Sequence, residues 1–170
     1  MTESTDSLLA QLVARVMTLR GGMLVTAESC SGGGLAFLLT SIPGSSAWFE
    51  RGFITYSNES KQELLGVPAN LLFNYGAVSE QAAAAMATGA IVNSHAAVSV
   101  AITGIAGPDG ATQDKPVGTV CLAWSIRNGE TRTTRVVFDG DRQKIREQAI
   151  LMALQGLLDL LESEKLKVES

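Results

Sequence analysis

The run Gly44-Ser45-Ser46-Ala47-Trp48-Phe49-Glu50-Arg51-Gly52-Phe53-Ile54-Thr55-Tyr56-Ser57-Asn58-Glu59-Ser60-Lys61 gathers serine hydroxyls, a phenol and a lysine in one short stretch. A serine hydroxyl is a weak nucleophile until a neighbouring base takes its proton. A lysine can be that base when burial or nearby positive charge lowers its pKa. The chain holds a single histidine, so a Ser–Lys pair is the natural alternative to a Ser–His pair. Gly44 and the serines form a turn, and Trp48 to Tyr56 reads as a strand because it is rich in aromatic and β-branched residues. Asn58 offers an N-cap, with Glu59 in the first turn of the following helix and Lys61 about one turn in. A strand leading back from Ser46 and a helix starting after Tyr56 would bring Ser46, Tyr56 and Lys61 to one rim. Spacing alone is equally compatible with a plain Ser45-Ser46 turn and a solvated Lys61, and only geometry separates the two.

Two further stretches have the composition of ligand-binding loops. Thr26-Ala27-Glu28-Ser29-Cys30-Ser31-Gly32-Gly33-Gly34 passes from a strand into a helix. Glycines there let backbone N–H groups approach a ligand, and a helix N-terminus favours an anion such as phosphate. The run matches neither GxGxxG nor GxxxxGK[ST], and a tight turn with capping serines would look the same. The second stretch, Thr103-Gly104-Ile105-Ala106-Gly107-Pro108-Asp109-Gly110, follows a continuous apolar run from Ala96 to Ile102 that reads as a buried central strand. Loops at the carboxyl ends of strands gather around ligands in open α/β sheets, so this loop is expected to form a second wall. Arg142 and Arg146 sit one turn apart at the start of the last helix, an unfavourable end for cations unless an anion is near. They form either a phosphate clamp or local pairs, Arg142 with Asp139 or Asp141 and Arg146 with Glu147 or solvent.

The elements that must position these groups follow from periodicity. Leu9, Leu12, Val13 and Val16 mark an amphipathic helix over about 6–20, stopped near Gly21-Gly22, and Met23 to Thr26 is a buried strand. A second helix covers roughly Gly33 to Thr40, and Ser79 caps an alanine-rich helix running to about Asn93. Gly118–Ile126 and Thr131–Phe138 form an antiparallel pair around Asn128-Gly129, a strong hairpin signal. Asp139-Gly140-Asp141 opens a last helix whose inward face is Ile150, Leu154, Leu157 and Leu161, with a charged tail fraying from Glu162. Helices alternating with strands until the late hairpin predict an α/β fold: a three-layer α/β/α sandwich with a mixed, mostly parallel sheet, as one domain over residues 1–170.

Composition narrows the function. Hydrophobic residues make up 46% and charged residues 18%, a globular balance. A net charge of −4 disfavours nucleic acid as a partner. No apolar run reaches the ~18 residues of a membrane span, and the polar, acidic N-terminus lacks the pattern of a signal peptide. A cytoplasmic protein is expected. Cys30 and Cys121 have no metal-ligand spacing and are expected as reduced thiols, Cys30 as either a buried filler or a nucleophile beside the glycine turn. So apolar a chain is expected to form a homo-oligomer.

GSSAWFERGFITYSNESK, TAESCSGG and TGIAGPDG, in this order over about Leu24 to Arg146, resemble the C-terminal domain family of the competence/damage-inducible protein CinA. Its stand-alone members include nicotinamide-mononucleotide amidases. The resemblance implies the same α/β/α architecture and hydrolysis of the carboxamide of nicotinamide mononucleotide to nicotinate mononucleotide and ammonia. It also implies that Ser46 is the nucleophile, Lys61 the general base, and Tyr56 the group that orients them. Ser29, Ser31, Gly32, Gly33, Ser45, Thr103, Gly104 and Arg142 are then expected to bind the nucleotide, with no cofactor and no metal. Oxyanion donors would come from backbone N–H groups near Ser45-Ser46 or in the Ser29–Gly33 turn. The chain departs from the family pattern at Ser31, where threonine is usual, and at Gly34, where a larger residue is common. A silent nucleotide-binding paralogue and an amidase for another metabolite are the alternatives.

Overall fold

The computed structural model describes residues 4–18 and 22–169. The expected helix stop at Gly21-Gly22 falls partly outside them, and so does the start of the polar N-terminus. In chain order the elements are α1 (Thr5–Thr18), β1 (Leu24–Glu28), α2 (Gly34–Thr40), a 3₁₀ turn (Ser45–Ala47), β2 (Phe49–Ile54), α3 (Asn58–Leu65), α4 (Ala69–Tyr75), α5 (Glu80–Val92), β3 (Val98–Gly104), β4 (Thr119–Ile126), β5 (Thr131–Val137) and α6 (Arg142–Glu169). The strands form one sheet in the order β2-β1-β3-β4-β5. β2, β1 and β3 are parallel neighbours, while β4 runs antiparallel to both β3 and β5. Only β4 therefore points the other way, which satisfies the expectation of a mixed, mostly parallel sheet.

Period-2 alternation divides the core in two. Leu24 of β1, Val98, Val100 and Ile102 of β3, and Val120, Leu122 and Trp124 of β4 pack with α1, α2 and α6 on one face. Val25, Ala27, Ala101, Cys121 and Ala123 face the other way, against Leu65, Val67, Leu72 and the alanine-rich side of α5. Residues adjacent along a strand thus belong to different layers, as the pleat requires, and three layers result. Small residues allow α5 to lie close: a Cβ at Gly89 would sit 2.0 Å from the Leu65 carbonyl oxygen.

Caps set the ends. Ser79 accepts the Ala82 N–H at 3.0 Å, and Asp141 accepts the Lys144 N–H at 2.9 Å, as expected. The cap of α3 is Ser57 rather than Asn58. Ser57 and Ser60 exchange side-chain and backbone hydrogen bonds in a capping box, which fixes the start of α3 one residue earlier. α6 continues to Glu169 instead of fraying at Glu162. Ion pairs of Lys167 with Glu130 and Glu164 stabilise its last turns.

The connections create a crevice. β1 leads through α2 to β2 on one side, whereas β2 leads through α3, α4 and α5 to β3 on the other side of β1. Loops leaving β1 and β3 diverge at this point, which is where open α/β sheets bind ligands.

Candidate active site

Ser29 is the first residue beyond β1. Its N–H donates to the Ile102 carbonyl of β3 at 2.9 Å, and the Thr55 N–H on the other side donates to the Glu28 carbonyl at 2.9 Å. The parallel ladders thus carry Ser29 and Thr55 to the same end of the sheet. The capped start of α3 then turns Lys61 back beneath them. Lys61 Nζ lies 3.1 Å from Ser29 Oγ and donates to the Thr55 carbonyl at 2.8 Å. The lysine is only 1% exposed, and no carboxylate pairs with it among the described residues.

Burial biases the groups on this floor toward their uncharged forms. Desolvation pushes the Lys61 pKa below its ordinary value, against a weaker opposing pull from Cys30. Burial also raises the Cys30 thiol to about 11, so at neutral pH it is uncharged and gives Lys61 no counter-charge. In its free-amine form, which burial favours, the lysine can commit one N–H to the Thr55 carbonyl and keep a lone pair available for the Ser29 proton.

Above the pair opens a cavity of about 250 Å³. Its floor is Ser29, Cys30 and Lys61, its walls include Asn58, Val78, Thr103 and Gly104, and its rim carries Tyr56, Asp109 and Arg142. Arg142 bridges two walls, donating to the Gly107 carbonyl at 2.7 Å and to the Tyr56 hydroxyl at 3.0 Å. The β3–β4 loop is also fastened outside the cavity, where Lys115 donates to the Tyr75 carbonyl at 2.7 Å and Arg135 to the Asp114 carbonyl at 2.6 Å.

The expected residues are therefore only partly brought together. Lys61, Tyr56, Ser29, Thr103, Gly104 and Arg142 line the cavity. Ser45 and Ser46 do not. They lie in the 3₁₀ turn before β2, with Trp48 bonded to Leu24 at the start of β1, whereas Lys61 follows the far end of β2. Six strand residues separate the two ends, on the order of 20 Å at ~3.3 Å per residue, and Ser46 is exposed. Lys61 therefore pairs with Ser29, not Ser46. The hydroxyl partner of Tyr56 is Arg142, not the Ser–Lys pair. Ser31, Gly32 and Gly33 lie outside the cavity lining: Ser31 is fully buried, and Cβ atoms at Gly32 and Gly33 would face Arg146 and Ile54. The Thr103 hydroxyl is committed to the Ala77 carbonyl at 2.8 Å. Neither arginine pairs with an acid as the alternative reading had it. Arg146 donates to the Cys30 and Ser31 carbonyls, both at 3.1 Å.

Sequence reasoning assigned no role to Glu28. It is buried at the end of β1, and its two oxygens accept the Leu35 and Ala36 N–H groups at 2.9 and 3.0 Å, tying α2 to the sheet. A carboxylate in a strand, followed by a glycine turn into a helix, was the signal available. Asn58 and Asp109 on the cavity wall were likewise unassigned.

A three-layer α/β sandwich with a buried lysine against a serine at the switch point of its sheet defines the class of protein. The chain belongs to the CinA C-terminal domain family, whose model matches residues 6–161. It is 49% identical over 157 residues to the nicotinamide-nucleotide amidohydrolase PncC of Escherichia coli, covering 92% of this chain and 95% of that protein. The protein of the same name from Pseudomonas putida is 51% identical over 137 residues, covering 81% and 85%. The crystal structure of the competence/damage-inducible protein CihA from Agrobacterium tumefaciens superposes with a TM-score of 0.85 at 42% identity, covering 94% of this chain and 99% of that one.

Proposed function

We propose that this protein hydrolyses the carboxamide of nicotinamide mononucleotide, releasing ammonia and nicotinate mononucleotide in pyridine-nucleotide salvage. The observation that carries the mechanism is the 3.1 Å approach of Lys61 Nζ to Ser29 Oγ on the floor of the cavity. The names of the relatives supply the substrate. Neutral Lys61 takes the Ser29 proton as Oγ attacks the amide carbon, forming one C–O bond and a tetrahedral oxyanion. Collapse breaks the C–N bond, and the leaving nitrogen takes the proton from Lys61 and departs as ammonia. Lys61 then removes a proton from water, which attacks the ester. The acid leaves and the proton returns to Ser29. No metal or cofactor takes part in these steps.

At the rim, Arg142 is the cation positioned for the nucleotide phosphate, and Tyr56 holds its guanidinium in place. We place the reaction in the cytoplasm. Copies of the chain are proposed to pair through exposed apolar groups such as Phe37 (81% exposed) and Ile54 on edge strand β2 (54%), which light scattering of the purified protein would reveal. The functional test is ammonia release from nicotinamide mononucleotide by the purified protein, with nicotinate mononucleotide as the co-product. Tight binding of the nucleotide without ammonia would refute the reaction and favour a silent binding paralogue.

A further inference from the structure

The carbonyls of Ser29, Cys30 and Ser31, in the turn that carries the nucleophile, are all tied down. The Ser29 carbonyl accepts the Gly32 N–H at 3.0 Å, and the Ser31 carbonyl accepts the Gly34 N–H at 3.0 Å. These bonds are local and would form in an isolated turn. The Cys30 carbonyl has one partner among the described residues: Arg146 Nε, at 3.1 Å, from a helix more than a hundred residues away in sequence. The same guanidinium reaches the Ser31 carbonyl through Nη2 at 3.1 Å. Gly32 turns the chain at a φ of +61°, and a Cβ there would lie 3.4 Å from Nη2, at contact distance.

We propose that Arg146 is a positioning residue for the hydrolysis, an inference that rests on the Ser29–Lys61 reading above. A peptide unit is planar, so fixing the Cys30 carbonyl fixes the orientation of the Cys30–Ser31 peptide, one peptide beyond the unit that joins the nucleophile to Cys30. Lys61 approaches from α3 and Arg146 from α6, on opposite faces of the sheet. The turn is clamped between them, the lysine on the hydroxyl of Ser29 and the arginine on the backbone that follows it. A planar guanidinium can serve two carbonyls at once, which one ammonium on a flexible stem does not reproduce. Arg146 is absent from the lining of the cavity above Ser29 and instead lines, with Arg142, Gln143, Glu147 and Ile150, a neighbouring pocket along α6. With Nε and Nη2 committed to the carbonyls of the turn, its loss is expected to act on the geometry of attack more than on nucleotide affinity, and displacements of about 1 Å in such geometry cost on the order of 100-fold in rate.

The test compares Arg146→Lys and Arg146→Gln with Arg127→Lys and Ser29→Ala in the full chain. Arg127 also binds carbonyls, of Ile91, Ser94 and Ala96, but at the end of α5 remote from the cavity. Expected is a fall in kcat of about 10- to 100-fold for both Arg146 variants, with KM for nicotinamide mononucleotide within about twofold, and partial recovery of Arg146→Gln by millimolar guanidinium. Arg127→Lys is expected to lower the melting temperature while keeping kcat. Folded Arg146 variants with wild-type kcat would overturn the inference. So would a raised KM at unchanged kcat, which would make Arg146 a substrate ligand, or an equal loss of kcat in Arg127→Lys, which would make the effect one of stability. Activity in Ser29→Ala removes the nucleophile assignment and this inference with it. An inactive Ser29→Ala beside a fully active Arg146→Lys sinks the inference alone.

Discussion

Removing Ser29 and Lys61 singly and together gives the most direct test of the pair. In the proposed mechanism the two groups, 3.1 Å apart, share one proton, so either loss abolishes the whole nucleophilic route. Groups that act as such a unit typically cost ~10⁴-fold or more in kcat when either is removed, which at ~1.36 kcal/mol per tenfold is about 5.4 kcal/mol. Independent contributions would give about 10⁸-fold in the double variant. The shared proton instead predicts a double variant within roughly threefold of either single one, a coupling on the order of 5 kcal/mol. Lys61→Met is the better lysine variant, because methionine fills the buried stem and leaves the Thr55 carbonyl and the Ser29 hydroxyl without their lysine partner, at about 1–3 kcal/mol of stability. Ser46→Ala serves as the internal control. Exposed in its turn at the other end of β2, it is expected to change kcat less than about twofold. Initial rates of ammonia release, with thermal melts to certify folding, decide the matter. A Ser46→Ala variant as inactive as Ser29→Ala, or singles whose effects multiply in the double, would refute the reasoning.

The remaining predictions concern protonation and support. Log kcat/KM should rise with pH until Lys61 is deprotonated and level off below the ordinary lysine value of 10.5; a flat acid limb would show that no such base operates. The same shift means that the folded state binds fewer protons than the unfolded chain between the lowered value and 10.5, so this group makes stability rise with pH across that window, checked by denaturant melts of wild type against Lys61→Met. Glu28→Gln leaves one α2 N–H facing an NH₂ donor in a buried site. That should cost about 1.5–3 kcal/mol, a fall in melting temperature of roughly 3–10 °C by calorimetry. Arg142→Ala frees the Gly107 carbonyl and the Tyr56 hydroxyl and should raise KM for the nucleotide about tenfold or more, with a smaller effect on a substrate lacking the phosphate.

The layers, the caps and the hairpin were legible because each rests on local chemistry: a Ser79 hydroxyl, an Asn-Gly turn, an alternation of small and large side chains. Lys61 was legible for the same reason, standing one turn into a helix behind a strand. Its partner was not. Ser46 and Lys61 are close in sequence, but a strand lies between them, and a strand moves its two neighbours apart by its full length. Ser29 is far in sequence yet emerges at the same sheet end, because β1 and β2 run parallel. The direction rule for parallel sheets, applied to Ser46, would have placed it at the wrong end. The partners of Arg142 and Arg146 were hidden for a different reason. Nearby acids suggested ion pairs, whereas both guanidiniums bind carbonyl oxygens, which have no signature in side-chain composition.

Ser29 and Cys30 stand side by side on the cavity floor, and burial chooses between them. Desolvation disfavours charge on either group it acts upon, so it drives Lys61 toward the free amine and the Cys30 thiol away from thiolate. With a thiol pKa of about 11, only about one part in 10⁴ is thiolate at neutral pH, too little for the species that attacks in cysteine hydrolases. Ser29 needs no standing anion in the proposed mechanism, since its hydroxyl lies 3.1 Å from the lysine assigned to remove its proton during attack. Cys30→Ala is therefore expected to keep kcat within a few-fold, losing only the packing of a small buried side chain, and alkylation of the protein with iodoacetamide at neutral pH should be slow at this position. Loss of turnover in Cys30→Ala to the level of Ser29→Ala, with the fold intact, would transfer the nucleophile to the thiol.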